Sequence, residues 1–394
     1  MLEKTALVNG RIYTMAGNLW EKGAILWQNG KILAVGPDVA IPSDAEVIDA
    51  RGKTVLPGFI DAHTHIGILE EIYAFEGDDL NEMTEPVTPE LRALDAVNPY
   101  DLAFQDALQG GVTTVMTGPG SANVIGGTSL VLKTYGRTME EMVLVPQAGL
   151  KVAFGENPKR VYSELKKMPS TRMAIAALLR QTLMDGQDYL AKKAKAQKEE
   201  DVFERDLGME NVSLVLTKQM PLRAHAHRAD DIMTAMRIAE EFGVEIVIEH
   251  GTEAHKIVEE IVKRQIPVVV GPSFSNRAKV ELAEITWRTA AVLQKAGVLV
   301  ALTTDHSVTP IQYLPLCAAF AVKHGMPEEE ALKAITINPA KILKLDERIG
   351  SLEKGKDADL VVMSGDPLDW RTRVEAVYIN GKNVYSDKTS MNVT

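Results

Sequence analysis

A chain of 394 residues with 45% hydrophobic and 25% charged residues has apolar material for a large core plus an accessory unit, and its composition excludes a disordered chain. A formal net charge of -11 argues against nucleic acid or an anionic membrane as the principal partner, because either needs a basic face to replace displaced counterions. The single cysteine, Cys317, excludes an intrachain disulfide and a thiolate metal cluster, so any metal must sit on nitrogen and oxygen ligands.

Glu3 and Lys4 stand where a signal peptide needs its apolar stretch, and no later run approaches 18 apolar residues, so the cytoplasm is the expected compartment. From the N-terminus to about Thr54, short apolar runs are broken by Asn9-Gly10 and Asn29-Gly30, pairs suited to tight hairpin turns, which predicts antiparallel strands. The last 50 or so residues read alike, with Asn380-Gly381 at a turn. Neither terminal piece can bury enough apolar area alone, and pairing them into one small domain solves that problem.

Between them lie eight apolar runs: TVLPGFIDA, GVTTVMT, TSLVLKT, GLKVAFG, PLRAHA, VEIVIEH, IPVVVG and VLVALTT. Mostly helix-length segments separate them, which predicts a closed parallel barrel. The expected fold class is therefore α/β: a (β/α)8 TIM-like barrel over 55–345, with a small β-sandwich domain from 1–54 plus 346–394. Helices are expected from Arg228 to Phe242, ending at Gly243, from His255 to Arg264, and from Glu328 to Leu343 after Pro327. The stretch from Asp188 to Arg205 is charged nearly all round and predicts an exposed helix or a mobile lid.

The strongest chemical signal is Asp61-Ala62-His63-Thr64-His65 at the end of the first barrel run. Residues two apart on a strand share a face, so His63 and His65 can offer two imidazoles to one metal. Further candidate ligands end later runs: Glu156, His225, His227, His250 and Asp305. In a (β/α)8 barrel those ends converge on one rim, and five of the eight histidines fall there. His306, next to Asp305 on an extended strand, is expected to point elsewhere; His255 is read as structural or as backing a ligand, and His324 as a helix-end residue. The loop Thr117 to Asn123 lacks the features of a nucleotide site; Ser121 and Asn123 in it are either substrate contacts or parts of a plain turn. After the seventh run, Arg277 is a candidate for a substrate carboxylate, as is Arg228, although exposed arginines are more often solvated surface.

These features together resemble the amidohydrolase superfamily, close to its imidazolonepropionase-like and peptidase-like members. The likeness rests on LPGFIDAHTH, the strand-end His225, His250 and Asp305, the segment from Thr336 to Ala340, and GSLEKGKDADLVV. It implies that His63 and His65 hold a first metal, His225 and His250 a second, and that Asp305 binds the first on its open side and shuttles the proton. A bridging carboxylate is expected from the fourth strand. Many relatives use a carboxylated lysine there; Glu156 is the candidate here, with Lys151 and Lys133 as alternatives. Lys151 and Glu156 are five positions apart and cannot face the same way in one regular strand. His225 is the nearer strand-five ligand by resemblance, with His227 on the same face as substrate contact or competing ligand. Arg228 stands where several relatives carry a proton-shuttling glutamate, which disfavours ring deamination.

The implied activity is metal-dependent hydrolysis of an amide, cyclic amide or peptide-like C–N bond. One or two divalent ions are expected, zinc first, with Mn, Fe, Co or Ni suited to the same donors. An imidazolonepropionase-type ring opening and a mononuclear deacetylase or deaminase are the alternatives, and a non-catalytic scaffold is the remote one. The partner is a small-molecule substrate, and the terminal domain and outer helices offer surfaces for self-association.

Overall fold

The computed structural model describes residues 4–72 and 74–387. The chain begins with β1 (Thr5–Tyr13), β2 (Leu19–Gln28), β3 (Lys31–Gly36), β4 (Glu46–Asp49) and β5 (Thr54–Pro57). The barrel strands follow: β6 (Phe59–Thr64), β7 (Val112–Thr117), β8 (Ile125–Lys133), β9 (Val143–Ala153), β10 (Leu222–Ala226), β11 (Ile246–His250), β12 (Val268–Val270) and β13 (Val300–Leu302). The chain returns through β14 (Leu360–Met363), β15 (Val374–Ile379) and β16 (Lys382–Ser386).

The terminal strands form one eight-stranded sheet in the order β16-β15-β14-β5-β1-β2-β3, with β4 paired to β1. Leu7, Ile12, Ile25, Trp27, Leu360 and Tyr378 make a core of their own in it. Asn29-Gly30 and Asn380-Gly381 turn the chain as expected, both residues of each pair at positive φ. Asn9-Gly10 does not: it lies inside β1, where Asn9 at φ 63 accompanies a register shift against β2, so the pair marks a bulge. The run TVLPGFIDA is likewise two strands. Its first half pairs with β1 and β14 in the terminal sheet, and its second half opens the barrel. Gly58 divides them, in a place where any Cβ would collide with the Thr113 hydroxyl.

Each of the eight apolar runs contributes one barrel strand, in the sequential order β6 to β13. One expectation fails: β8 runs antiparallel to both β7 and β9. Only residues 118–124 join β7 to β8, too few for a crossover that returns the chain to its starting end. Lys133, which closes β8, therefore pairs with Thr114 at the start of β7. It lies at the barrel end opposite the rim where β7 finishes.

The seam between β13 and β6 is sewn by other bonds. Leu302 N–H donates to Ala334 O at 2.9 Å and Ile60 N–H to Ile335 O at 2.8 Å. The fully buried Asp61 carboxylate accepts from both the amide and the hydroxyl of Thr304, at 2.9 and 2.7 Å. Burial raises the Asp61 carboxyl above its ordinary value, opposed by the Thr304 bonds.

The helix Ala229–Phe242 ends at Gly243 (φ 64) as expected. The expected Glu328 to Leu343 helix is two, Glu328–Lys333 and Ile337–Ile342, because residues 334–335 turn aside to meet the seam. The expected His255 to Arg264 helix begins later, at Val258, after a 3-10 turn over Ala254–Lys256. The charged stretch after Asp188 continues the 28-residue helix Arg172–Glu199, which ends at Glu200. No helix among the described residues is long and apolar enough to cross a membrane.

Candidate metal centre

Strand alternation aims most of the site. On β9 to β11, Leu150, Val152, Leu222, Ala224, Ile246 and Ile248 join the main core, which leaves Lys151, Arg223, His225 and Glu249 for the barrel interior. By that alternation His250 would follow Ile248 outward. It takes φ 71 instead, a left-handed conformation that costs a non-glycine residue of order 1–3 kcal/mol. The turn brings its ring to 4.9 Å from that of His63, 4.5 Å from His225 and 4.8 Å from His227, measured between centroids. Asp305, just after β13, sits at φ 50. Two residues of the cluster thus occupy a backbone region that only surrounding structure can enforce.

The ligand atoms of His63, His65 and Asp305 lie within 4.8 Å of one another, and so do those of His225, His227 and His250. Asp305 Oδ1 is 3.1 Å from His63 Nε2 and 3.3 Å from His65 Nε2. His63 Nδ1 is 2.9 Å from Glu249 Oε1. His63 Nε2 and Asp305 Oδ1 are nonetheless buried without a hydrogen-bond partner among the described residues. Buried polar atoms are nearly always satisfied, so atoms gathered this closely and left unpaired fit a cation shared between them. His65 Nδ1 meets Gly118 O at 2.7 Å, a contact that holds its ring with Nε2 toward Asp305, and His250 Nδ1 meets Gly271 O at 2.8 Å. Burial holds the His225 and His227 imidazoles well below the usual histidine range and His250 at about 4, so each keeps a lone pair to donate. Burial would raise the Asp305 carboxyl, but His250 and His63 hold it well below the carboxylate range.

Glu156 does not join this cluster. It heads the helix Glu156–Glu164 after Gly155 at φ 83, and its amide donates to Glu281 Oε2 at 3.0 Å. The strand has ended at Ala153, and the inward position on it belongs to Lys151, 2% exposed, whose Nζ is 2.6 Å from Glu249 Oε2. Lys133 is excluded by the reversal of β8. His225 and His227 both face the cleft, their rings 4.7 Å apart, and His227 Nδ1 contacts Thr252 Oγ1 at 2.8 Å.

The other three expected substrate contacts are engaged elsewhere. Arg228 forks onto Asp230 with two bonds of 2.9 Å. Arg277 donates to Ala283 O at 2.9 Å. Asn123 is 3% exposed; its Nδ2 donates to Glu82 O and Thr88 Oγ1, and its Oδ1 accepts from Tyr162. It holds the loop together. Sequence reading missed Glu249, Arg223 and Glu281. The first two had a signal, since charge at the inward positions of buried strands needs a reason; Glu281, 2% exposed on a short turn, had none.

A cleft of about 400 Å³ opens over the cluster, lined by His65, Lys151, His225, His227, His250 and Asp305 among others. A larger cleft of about 670 Å³ lies at the opposite end of the strands, walled by Lys218, Val247, Leu299 and Lys344. It contains none of the gathered ligand groups.

Among solved structures, an amidohydrolase from Thermotoga maritima MSB8 is 50% identical, covers 97% of this chain and 100% of its own, and superimposes with a TM-score of 0.95. A prolidase complexed with N-methylphosphonate-L-proline, 20% identical with a TM-score of 0.61 over 98% of this chain and 100% of its own, shares the fold. Among curated relatives, amidohydrolase tasK of Hapsidospora irregularis is 29% identical over 94% of this chain, which spans 41% of that protein's length. The imidazolonepropionase of Symbiobacterium thermophilum is 27% identical over 88% of this chain and 85% of its own. The model of the amidohydrolase family matches residues 54–384, the barrel together with the returning strands, and the chain belongs to that family of hydrolases.

Proposed function

We propose that this chain is a metal-dependent hydrolase of a small amide, cyclic amide or peptide-like substrate, with Asp305 carrying the proton. One observation supports it above the rest: imidazoles from β6, β10 and β11 and the carboxylate after β13 converge at one rim, with buried donor atoms left unpaired.

His63, His65 and Asp305 would hold one ion and His225 with His250 a second, with His227 in reach. Lys151 replaces Glu156 as the fourth-strand group. Carboxylated, it would change from cation to anion and offer the bridging oxygens that relatives use. Zinc suits this nitrogen and oxygen set, as do Mn, Fe, Co or Ni, and such ions polarise a carbonyl and lower the pKa of water toward ~7. Asp305 accepts the proton of the attacking water and returns it to the leaving nitrogen. The carbonyls of Gly118 and Gly271 keep His65 and His250 in the tautomer this requires.

Metal content decides the matter. Protein purified without chelator is expected to carry close to two transition metals per chain by elemental mass spectrometry, falling in His63→Ala and to about one in Lys151→Met, and to hydrolyse members of a panel of dipeptides, N-acyl amino acids and cyclic amides. No native metal, and none taken up on adding Zn or Mn, would sink the proposal. One metal in the unmodified protein favours the mononuclear reading. Likeness to imidazolonepropionases over most of both chains favours one second reading, opening of an imidazolone ring, which a direct ring-opening assay separates.

A further inference from the structure

The wall of the cleft carries an arginine without a partner. The helix Glu156–Glu164 presents Asn157, Arg160 and Val161 to the cleft, the i, i+3 and i+4 positions of one helix face. Asn157 is fixed at the bottom of that face. Its Oδ1 accepts from Lys279 Nζ at 2.9 Å, and its Nδ2 donates to Ser121 Oγ at 2.7 Å and lies 3.5 Å from His225 Nε2. Arg160 stands one turn along, its Cβ about 5–6 Å from that of Asn157. No hydrogen bond or ion pair engages the Arg160 side chain among the described residues.

The lysines that line the cleft are already matched: Lys279 Nζ is 2.6 Å from Glu281 Oε1 and Lys151 Nζ is 2.6 Å from Glu249 Oε2. Leu69, Leu80 and Met83 supply apolar wall to the same cleft. An exposed guanidinium that lines the same cleft as this apolar wall, one helical turn from a residue that touches the histidine cluster, is placed to receive a planar anion at one end of a small molecule. Its fork matches a carboxylate in two parallel bonds. In a chain of net charge -11, a local cation is also what draws an anionic substrate in.

Resting on the amide-hydrolase reading above, we propose that Arg160 sets specificity by binding the carboxylate of an N-acyl amino acid or dipeptide-like acid, with the scissile carbonyl at the histidine cluster and the side chain against Leu69, Leu80 and Met83.

Isothermal calorimetry on the zinc-loaded protein tests this with the N-acetyl derivatives of leucine, alanine and proline, each as free acid and as primary amide. The acid of at least one pair is expected to bind about 10- to 100-fold more tightly than its amide, the range for hydrogen bonds to a charged group. That gap should fall to within about threefold in Arg160→Met, persist in part in Arg160→Lys, and stay whole in Arg228→Met. Where an acid is hydrolysed, Arg160→Met should raise KM and spare kcat. Equal binding of acids and amides, a gap that survives Arg160→Met, or no binding of any ligand would overturn the inference. Binding that discriminates, with no hydrolysis of these ligands or of any dipeptide, N-acyl amino acid or cyclic amide in the wider panel, would sink the hydrolase reading and leave the carboxylate site standing.

Discussion

Two lysines on adjacent barrel strands, Lys133 on β8 and Lys151 on β9, are equally buried, at 1% and 2% exposure, yet stand in opposite situations. Lys133 is enclosed by Asp357 and Asp359, and Asp357 also takes Lys31 at 2.6 Å and Arg348 at 2.9 Å. Every charge there meets an opposite one, and the cluster joins the barrel floor to the terminal sheet. Lys151 meets Glu249, which also holds Arg223 at 2.9 Å. Just above that pair, His63 Nε2 and Asp305 Oδ1 have no hydrogen-bond partner among the described residues. Complete pairing marks a structural joint, whereas buried donors gathered and left unpaired mark a place made for something else.

The largest effect is expected at the unpaired end. Asp305→Asn should lower kcat about 10²- to 10⁴-fold, the usual weight of a positioned acid-base group, with little change in melting temperature. A variant that melts early in proportion to its lost activity would move Asp305 to the structural side.

At the paired end, Lys133→Met should cost about 3–5 kcal/mol in denaturant unfolding, because it strands buried carboxylates, while metal content per folded chain stays unchanged. The pH dependence has a definite sign. Burial alone would raise the Asp357 carboxyl, but Lys133, Lys31 and Arg348 hold it below the carboxylate range. A depressed carboxylate adds stability above its unfolded pKa of about 3.9 and loses it as pH falls through the folded value. The stability gap between the parent protein and Lys133→Met should therefore narrow below about pH 4. A gap that widens there would show that the lysine was not neutralising Asp357.

Asn123→Ala should cost about 1–3 kcal/mol through the partners it strands at Glu82, Thr88 and Tyr162, with KM unchanged. A raised KM at unchanged stability would restore Asn123 as a substrate contact. Smallest of all, Arg228→Ala should stay within about 0.5 kcal/mol in stability and leave KM alone, because its fork lies on exposed Asp230.

Much of this was legible without coordinates. The eight apolar runs, the His-x-His at the first strand and the strand-end ligands follow from residue spacing, because a two-residue period and a shared rim are properties of any such barrel. The misplaced group, Glu156, shows where spacing stops. Strand parity orders side chains only while the strand lasts, and β9 ends at Ala153, so the five-residue separation between Lys151 and Glu156 carried no information about the second of them. The reversal of β8 was present in the short connection at residues 118–124, and it moves Lys133 to the far end of the barrel.

By itself, then, the sequence determined the two-part fold, the eight strands and the imidazole and carboxylate set at their ends, since periodicity and local turn chemistry act over a few residues. Only the tertiary structure decided that His250 turns inward at φ 71 beside an inward Glu249, that Lys151 rather than Glu156 faces the cluster, and that Arg228, Arg277 and Asn123 are occupied while Arg160 has no partner among the described residues. Each of those outcomes depends on which distant group reaches a side chain first, and contacts between residues far apart in the chain leave no mark on local spacing.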